Sequence, residues 1–331
     1  MDGITDISFR RMVETYSPEI DFTVTEFINV QGFFSNPEKH FPKLLFYRDS
    51  RPCILQVFGN IDQLVYFRKI STIAQLCGFS GIDLNVGCPD NSVVRSRSGA
   101  GLIGHRKEIT SIINSLKFGL SRDGHKAKID STIHRLIDNY KQRGFFKENS
   151  CKPFLSLKTR IGIDRTMNNT WWNFLDKLNL DFITIHGRTL KQKFAGSANW
   201  TTIHNISKTM KTPVLGNGDI KADINTSRDS DSLKKLLTQK LKYTPAGIMI
   251  GRGFLGHPNL LLNSKYYNYK LQTSMLKHHF DEYTKFYSKY IDPFKKFINY
   301  YLAGFANIKD TRINIMKCQT ATEMSKEISK L

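Results

Sequence analysis

Seven short runs of β-branched and aromatic residues recur along this chain at near-constant spacing, and that spacing limits its fold more than any other feature. The runs occupy residues 22–27, 53–58, 81–86, 154–159, 182–186, 213–217 and 247–250. Their starts lie 31, 28, 73, 28, 31 and 34 residues apart. About thirty residues accommodate one strand and its crossover helix, so the chain reads as successive βα units with one oversized interval. Seven such units predict a (β/α)8 TIM barrel rather than an open doubly wound sheet, with one strand unaccounted for. Residues 2–6 read as the loop after a strand and 8–16 as the helix that follows. The absent first strand is therefore expected before Met1, through either a misassigned start or a genuine truncation.

The oversized interval contains a segment, 106–152, with eleven Lys or Arg against five Asp or Glu. It is expected to carry that unit's helix plus a basic surface insertion. Beyond Gly256 the strand signal stops. Aromatic residues then fall at 280, 283, 287, 290, 294, 297 and 301, alternating spacings of three and four. That is one face of a helix, or of two helices broken near Pro293, and such a stripe is expected to pack inward as core. Lys285, Lys289 and Lys296 share a different face, with Lys295 beside it, and can meet phosphates there. The expected division is a barrel domain over 1–262 and a small all-helical C-terminal domain over 263–331.

Composition narrows the setting. With 40% hydrophobic and 24% charged residues among 331, the chain can bury a full core, which excludes a disordered protein. Its apolar runs are strand-length, too short to cross a bilayer, and its start lacks the basic leader and apolar stretch of a secretion signal. The five cysteines, at 53, 77, 88, 151 and 318, show no Cys-x-x-Cys spacing, which argues against a metal site and a disulfide framework. A cytoplasmic protein with reduced thiols, no metal and no membrane association is expected. The formal charge of +20 concentrates polyanions, nucleic acid first among them, although a Lys-, Asn- and Ile-rich chain also reflects an AT-rich coding sequence.

Chemistry in a barrel of this kind collects at the C-terminal strand ends, and here those ends are polar. Gln56 closes one run; Asn85 and Cys88 close the next. Lys158, His186, Asn217 with Gly218 and Asp219, and Gly251 with Arg252 close the following four. They describe a cup lined by an amide, an ammonium, an imidazole and a thiol. The glycines of 216–219 and 251–253 offer bare N–H groups after the last two strands, the usual phosphate position of the fold. Residues 251–256 also match G-x-G-x-x-G, but that dinucleotide fingerprint needs further βαβ units downstream, and here the strands have ended.

In order along the chain, 2–10 (DGITDISFR), 25–27 (TEF), 83–89 (DLNVGCP), 99–102 (GAGL), 157–160 (LKTR), 186–189 (HGRT), 216–219 (GNGD) and 250–253 (IGRG) resemble the motifs of the tRNA-dihydrouridine synthases. The finer likeness is to the bacterial C-type subfamily. The resemblance implies bound FMN, NADPH as reductant and tRNA as the substrate and partner of a monomeric enzyme. It implies that Gln56 and Lys158 hold the flavin ring with His186 beside it, and that Asn217, Gly218, Asp219, Gly251 and Arg252 hold the ribityl phosphate. Met1 stands where the family's first strand ends in Ala-Pro-Met, so Met1 and Asp2 are further expected cofactor contacts.

Cys88 is the expected general acid. Reducing a uracil 5,6 double bond requires a hydride at C6 and a proton at C5, and an ordinary thiol, with a pKa of about 8.5, is mostly protonated at neutral pH. Asn29, Asn85, Arg95 and Arg97 are expected tRNA contacts, together with the four tail lysines. Two other readings stay open: a small-substrate FMN oxidoreductase of the dihydroorotate dehydrogenase type, and an inactive tRNA-binding homologue.

Overall fold

The computed structural model describes residues 1–121, 128–148, 153–220, 230–244, 246–261 and 268–331. Cys151, the last residues of the basic insertion and position 263, where the helical domain was expected to begin, lie outside them. The chain divides into two compact units, one of residues 22–219 and 239–249, the other of 1–21, 220–238 and 250–331. Helix α1 (Ile7–Tyr16) of the second unit precedes the first strand.

The larger unit is an α/β structure around one parallel sheet. Its strands are β1 (Thr23–Val24), β2 (Ile28–Asn29), β3 (Cys53–Phe58), β4 (Gly81–Val86), β5 (Phe154–Gly162), β6 (Phe182–Thr189), β7 (Val214–Asn217) and β8 (Ile248–Met249). They follow one another in the order β1-β3-β4-β5-β6-β7-β8, with β2 also beside β3. All seven predicted runs are strands at their predicted places, forming a curled half-barrel whose ladder stays open between β1 and β8 among the described residues. The first run, 22–27, pairs only over β1, and β2 follows just beyond it, for a local reason. The Gln56 amide donates to the Thr25 hydroxyl (3.1 Å), a side chain standing in for a ladder carbonyl. β5 and β6 run past Lys158 and His186, which therefore sit inside strands rather than at their last residue.

Parallel strands require crossovers. After α2 (Val30–Ser35) and α3 (Pro37–His40), these are α4 (Leu64–Leu76), α5 (Asn91–Arg95) with α6 (Arg106–Gly119) and α7 (Ser131–Gln142), α8 (Asn169–Asp176), α9 (Trp200–Thr209) and α10 (Ser230–Tyr243). α6 is the expected helix of the oversized unit, and it packs on α4. The insertion is more than a surface excursion. Tyr140 of α7 stacks on Phe41 at 5.3 Å, the Phe146 amide donates to the Phe46 carbonyl (3.1 Å), and Ile133, Ile137 and Phe146 are buried.

Side chains alternate across a strand. One face of this sheet carries Leu55, Val57, Ile82, Leu84, Leu157, Ile183 and Ile185, all buried and apolar. Register places a different set on the opposite face. Gln56, Asp83, Ser156 and Phe182 form one row; Asn85, Lys158, Thr184 and Leu215 the next; Arg160, His186, Asn217 and Met249 the third. Barrel interiors are normally filled by branched apolar side chains, so this face is reserved for something other than packing.

The smaller unit gathers α1 with α11 (Tyr269–Tyr287), α12 (Lys295–Tyr301), α13 (Lys309–Lys317) and α14 (Ala321–Ser329). The aromatic stripe breaks into two helices at a 3₁₀ turn, Asp292–Phe294, where Pro293 removes a donor. Phe280, Tyr283, Phe294, Phe297 and Tyr301 are buried, while Tyr290 at the corner is 71% exposed. α1 contributes Phe9, Met12 and Val13 to the same core, and Phe9 stacks on Phe297 at 5.6 Å.

A polar thread runs through that core. The Asp6 carboxylate caps α1 by accepting from the Phe9 amide (2.8 Å) and also accepts the Ser8 hydroxyl (2.6 Å). With its hydrogen given to Asp6, the Ser8 oxygen accepts from His279 Nε2 (3.4 Å), which leaves Nδ1 to accept from the Tyr301 hydroxyl (3.2 Å). The network thus selects one neutral tautomer, and burial pushes His279 down to about 3, with the positive charges of His278 and Lys296 adding to the effect. Because the unfolded imidazole takes a proton near pH 6.5 and the folded one does not, the unfolded chain binds more protons between those values, and stability falls as pH drops through this window. Asp6, pushed up chiefly by burial, opposes part of that loss. Thermal unfolding measured from pH 7 to pH 4 should therefore show a loss on the order of a few kcal/mol. His279→Gln should be less stable at pH 7 and show a smaller acid dependence than wild type, with His257, which burial also pushes down to about 4, supplying the remainder; an undiminished dependence would contradict the assignment.

Candidate active site

The polar rows of the sheet are joined by side-chain hydrogen bonds. Asp83, 1% exposed, accepts from Gln56 Nε2 (2.8 Å) and from the Ser156 hydroxyl (2.6 Å). Gln56 Oε1 accepts in turn from Asn85 Nδ2 (2.9 Å). Asn85 Oδ1 receives two backbone amides, from Gly87 (3.0 Å) and Cys88 (2.9 Å). Lys158 stands in the row above Asp83, beside Asn85. Burial pushes its ammonium down to about 8, helped by Arg160 and opposed by Asp83 and Cys88. The Asp83 carboxyl is pushed up to about 6, again chiefly by burial.

Cys88 sits in the turn just beyond β4, half-buried and outside any disulfide. Three supports fix that turn. Asn85 holds its amides, Arg160 Nε donates to the Gly87 carbonyl (2.8 Å), and the Cys88 carbonyl accepts from the Ala100 amide (3.1 Å). Gly99, at φ 54°, explains the small residues of 99–101. A Cβ there would lie 2.7 Å from Val93 Cγ1 and 3.1 Å from the Cys88 Cβ, so only a bare backbone lets the turn back onto the cysteine loop.

On β6 and β7, His186 pairs in register with Asn217, whose Nδ2 donates to the Met249 carbonyl (2.7 Å). Gly218 packs against the imidazole: a Cβ would be 3.1 Å from His186 Nε2 and 2.7 Å from the Ala198 Cβ. The Gly218 carbonyl accepts from Trp200 Nε1 (3.0 Å). Asp219, at φ 53°, has its carboxylate held by buried Arg188 through two bonds to Nη2 (2.7 and 2.9 Å) and by the Ala198 amide (2.6 Å).

The sequence model for dihydrouridine synthases (Dus) matches residues 1–142 and 147–330. The chain belongs to the dihydrouridine synthase family. Relatives include a probable tRNA-dihydrouridine synthase of Rickettsia bellii, 24% identical over 96% of this chain and 88% of that one. Another is the probable tRNA-dihydrouridine synthase 2 of Bacillus subtilis, 28% identical over 98% and 90%. Among solved structures, ligand-free type DHODH from Eimeria tenella aligns at a TM-score of 0.40 with 11% identity, covering 64% of this chain and 57% of that one.

Within this Dus-family chain, Gln56, Asn85, Cys88, Lys158, His186, Asn217, Gly218 and Asp219 all fall in the larger unit, on adjoining strands and the turns that follow them. Met1, Asp2, Gly251 and Arg252 belong to the smaller one, where a Cβ at Gly251 would lie 3.5 Å from the Met1 sulfur. Asn29 caps α2 by accepting from the Gly32 amide (2.8 Å). Arg95 and Arg97 are exposed just past the Cys88 turn, Arg97 at φ 54°.

The tail lysines are spread over two helices and the corner between them. Lys285 pairs with Glu282 on α11, and Lys289 is exposed in the turn beyond. Lys295 bonds Asp292 (2.7 Å), with its side chain 13% exposed, and Lys296 lies over the Phe297 ring. Sequence reasoning assigned no role to Asp83, Ser156, Arg160 or Arg188. The first three were signalled by alternation, since Asp83 shares a strand face with Asn85, and Ser156 and Arg160 share one with Lys158; Arg188 follows His186 on the same face.

Asn85 carries the cysteine turn, so Asn85→Ala leaves two backbone amides without their acceptor. Alkylation of Cys88 in the folded protein should accelerate several-fold. An alkylation rate equal to wild type would show that Asn85 does not hold the turn.

Proposed function

We propose that this protein reduces the 5,6 double bond of D-loop uridines in tRNA to 5,6-dihydrouridine, using FMN and NADPH, with Cys88 as the proton donor. Family membership supports the reaction class. The observation that carries the residue-level reading is the cysteine held on a fixed turn at the rim of a polar cup that contains Lys158. The reading follows the C-type pattern and places the protein in the cytoplasm.

The residues present suit a flavin mononucleotide. The cup offers an ammonium, two amides and an imidazole, and the Thr184 hydroxyl beside Lys158 is buried with no hydrogen-bond partner among the described residues. Gly218 has no space for a Cβ beside His186 and Ala198, so the backbone of its turn must stay bare, as N–H donors to a phosphate would require. Gln56 and Lys158 would hold the ring, with His186 beside it. Asn217, Gly218 and the Asp219 amide would hold the phosphate end; by family pattern alone, Gly251, Arg252, Met1 and Asp2 are counted as cofactor contacts too.

Bound FMN, reduced by NADPH, would supply the hydride that uracil C6 accepts. The protein's own part is to bind, orient and give a proton. The Cys88 thiol delivers that proton to C5 from its fixed turn. Lys158, mostly protonated at neutral pH with its value of about 8, stabilises the thiolate left behind. Asn85 keeps one N–H available to an incoming base while its oxygen holds the turn.

The tRNA contacts on the larger unit would be Asn29, Arg95 and Arg97; the helical tail, 263–331, would be a tRNA-binding domain in its own right, through Lys285, Lys289, Lys295 and Lys296. Contacts of this sort to phosphates are sequence-independent and salt-dependent.

Cys88→Ala should retain flavin absorbance and tRNA affinity while dihydrouridine formation, followed by nucleoside mass spectrometry, drops about 10²- to 10⁴-fold. Wild-type product from that variant would remove Cys88 from the reaction. Replacing all four tail lysines with alanine should weaken tRNA binding and lower its log–log salt slope by roughly one unit for each phosphate no longer neutralised. An unchanged slope would leave those lysines as solvated surface charges.

A further inference from the structure

Asp83 is the most deeply buried charged group on the polar face of the sheet, and uridine reduction by the residues named so far gives it no task. Its position is specific. It lies one row below Lys158 and is bonded on one side to Gln56 and on the other to Ser156. Gln56 passes the constraint to Asn85, and Asn85 passes it to the amides of Gly87 and Cys88.

We propose that Asp83 is a positioning residue, the internal counter-charge of Lys158 and the anchor of the relay Asp83–Gln56–Asn85 that fixes the Cys88 turn. An ammonium placed among strand side chains is costly unless an opposite charge accompanies it, and Asp83 and Lys158 interact attractively in both directions. The relay also gives each amide one orientation. Asp83 accepts only, so Gln56 must present Nε2 to it and Oε1 to Asn85, which then has only its oxygen to offer the turn. Reversing any one amide would set like against like along the chain.

Lys158 is faced by Asn85 and Asp83 from β4, by the Cys88 turn, and by Thr184 from β6, with Arg160 two residues on along its own strand and His186 opposite Arg160. Of these, Asp83 is the carboxylate and the larger of the two attractive partners, the Cys88 thiol being the other. Burial already holds the ammonium near 8, so loss of the carboxylate should carry it lower still.

The inference rests on the flavin-site reading for its importance but is tested apart from it. In full-length protein freed of any bound flavin, the pH dependence of Lys158 acetylation is followed by peptide mass spectrometry for wild type, Asp83→Asn and Ser156→Ala. Asp83→Asn should move the half-labelling point down by about one unit, equivalent to roughly tenfold faster labelling at a fixed pH below it. Ser156→Ala, which takes a hydrogen bond from the carboxylate and so favours its neutral form, should move it the same way by less. This milder variant serves if Asp83→Asn does not fold. An unmoved half-labelling point in whichever variants fold overturns the proposal. Flavin content of the purified proteins reads the other question. A shifted half-labelling point in a protein that never carries flavin would uphold Asp83 and sink the flavin site, whereas bound flavin with an unmoved point would do the reverse.

Discussion

A carboxylate inside a parallel sheet governs how the rest of the larger unit is arranged. Buried charge is tolerated only when its hydrogen-bonding capacity is met, and Asp83 meets it with Gln56 and Ser156 from the two flanking strands. Once those side chains are committed, strand register is fixed as well. A slip of one residue would turn Gln56 or Ser156 to the apolar face and strand the carboxylate. The polar interior therefore does for this sheet what interdigitated valines and isoleucines do in others: it decides which residue stands beside which. The cost in packing is recovered on the opposite face, where the apolar residues are fully buried.

The helical unit solves the same problem at smaller scale. Its aromatic core would accept many arrangements of α1 against α11, since flat rings slide with little penalty. The thread from Asp6 through Ser8 and His279 to Tyr301 accepts only one. Specificity here comes from directional bonds embedded in non-directional packing, which is where buried polar groups are best justified.

How much of this was legible in the sequence depended on the range over which each signal acts. Strand runs and their thirty-residue period are local, and each was located to within a few residues. The polar strand ends were legible for the same reason, because glycine, asparagine and lysine interrupting an apolar run need no partner to be noticed. Asp83 sits in the middle of a strand, where alternation tells which way it faces but not that Gln56, 27 residues earlier, and Ser156, 73 residues later, meet it. The break after β1 turned on one hydroxyl, that of Thr25, and no propensity scale carries that information. The likeness of α1 to any amphipathic helix hid its partner: its apolar face predicts burial, not burial against residues some 270 positions away.

The pairing of Arg188 with Asp219 bears on a puzzle of charge. An acidic residue in a glycine-rich turn with left-handed backbone sets a negative charge among bare backbone amides. Here the guanidinium takes both carboxylate oxygens, so that the side chain is locally neutral and drawn away while its N–H stays in the turn. Electrostatically the residue behaves as if it were an amide, with the difference that its partner is a buried cation. Exchanging it for asparagine, the isosteric choice, would therefore not be a neutral change: it would leave the buried guanidinium beneath the turn without its counter-charge.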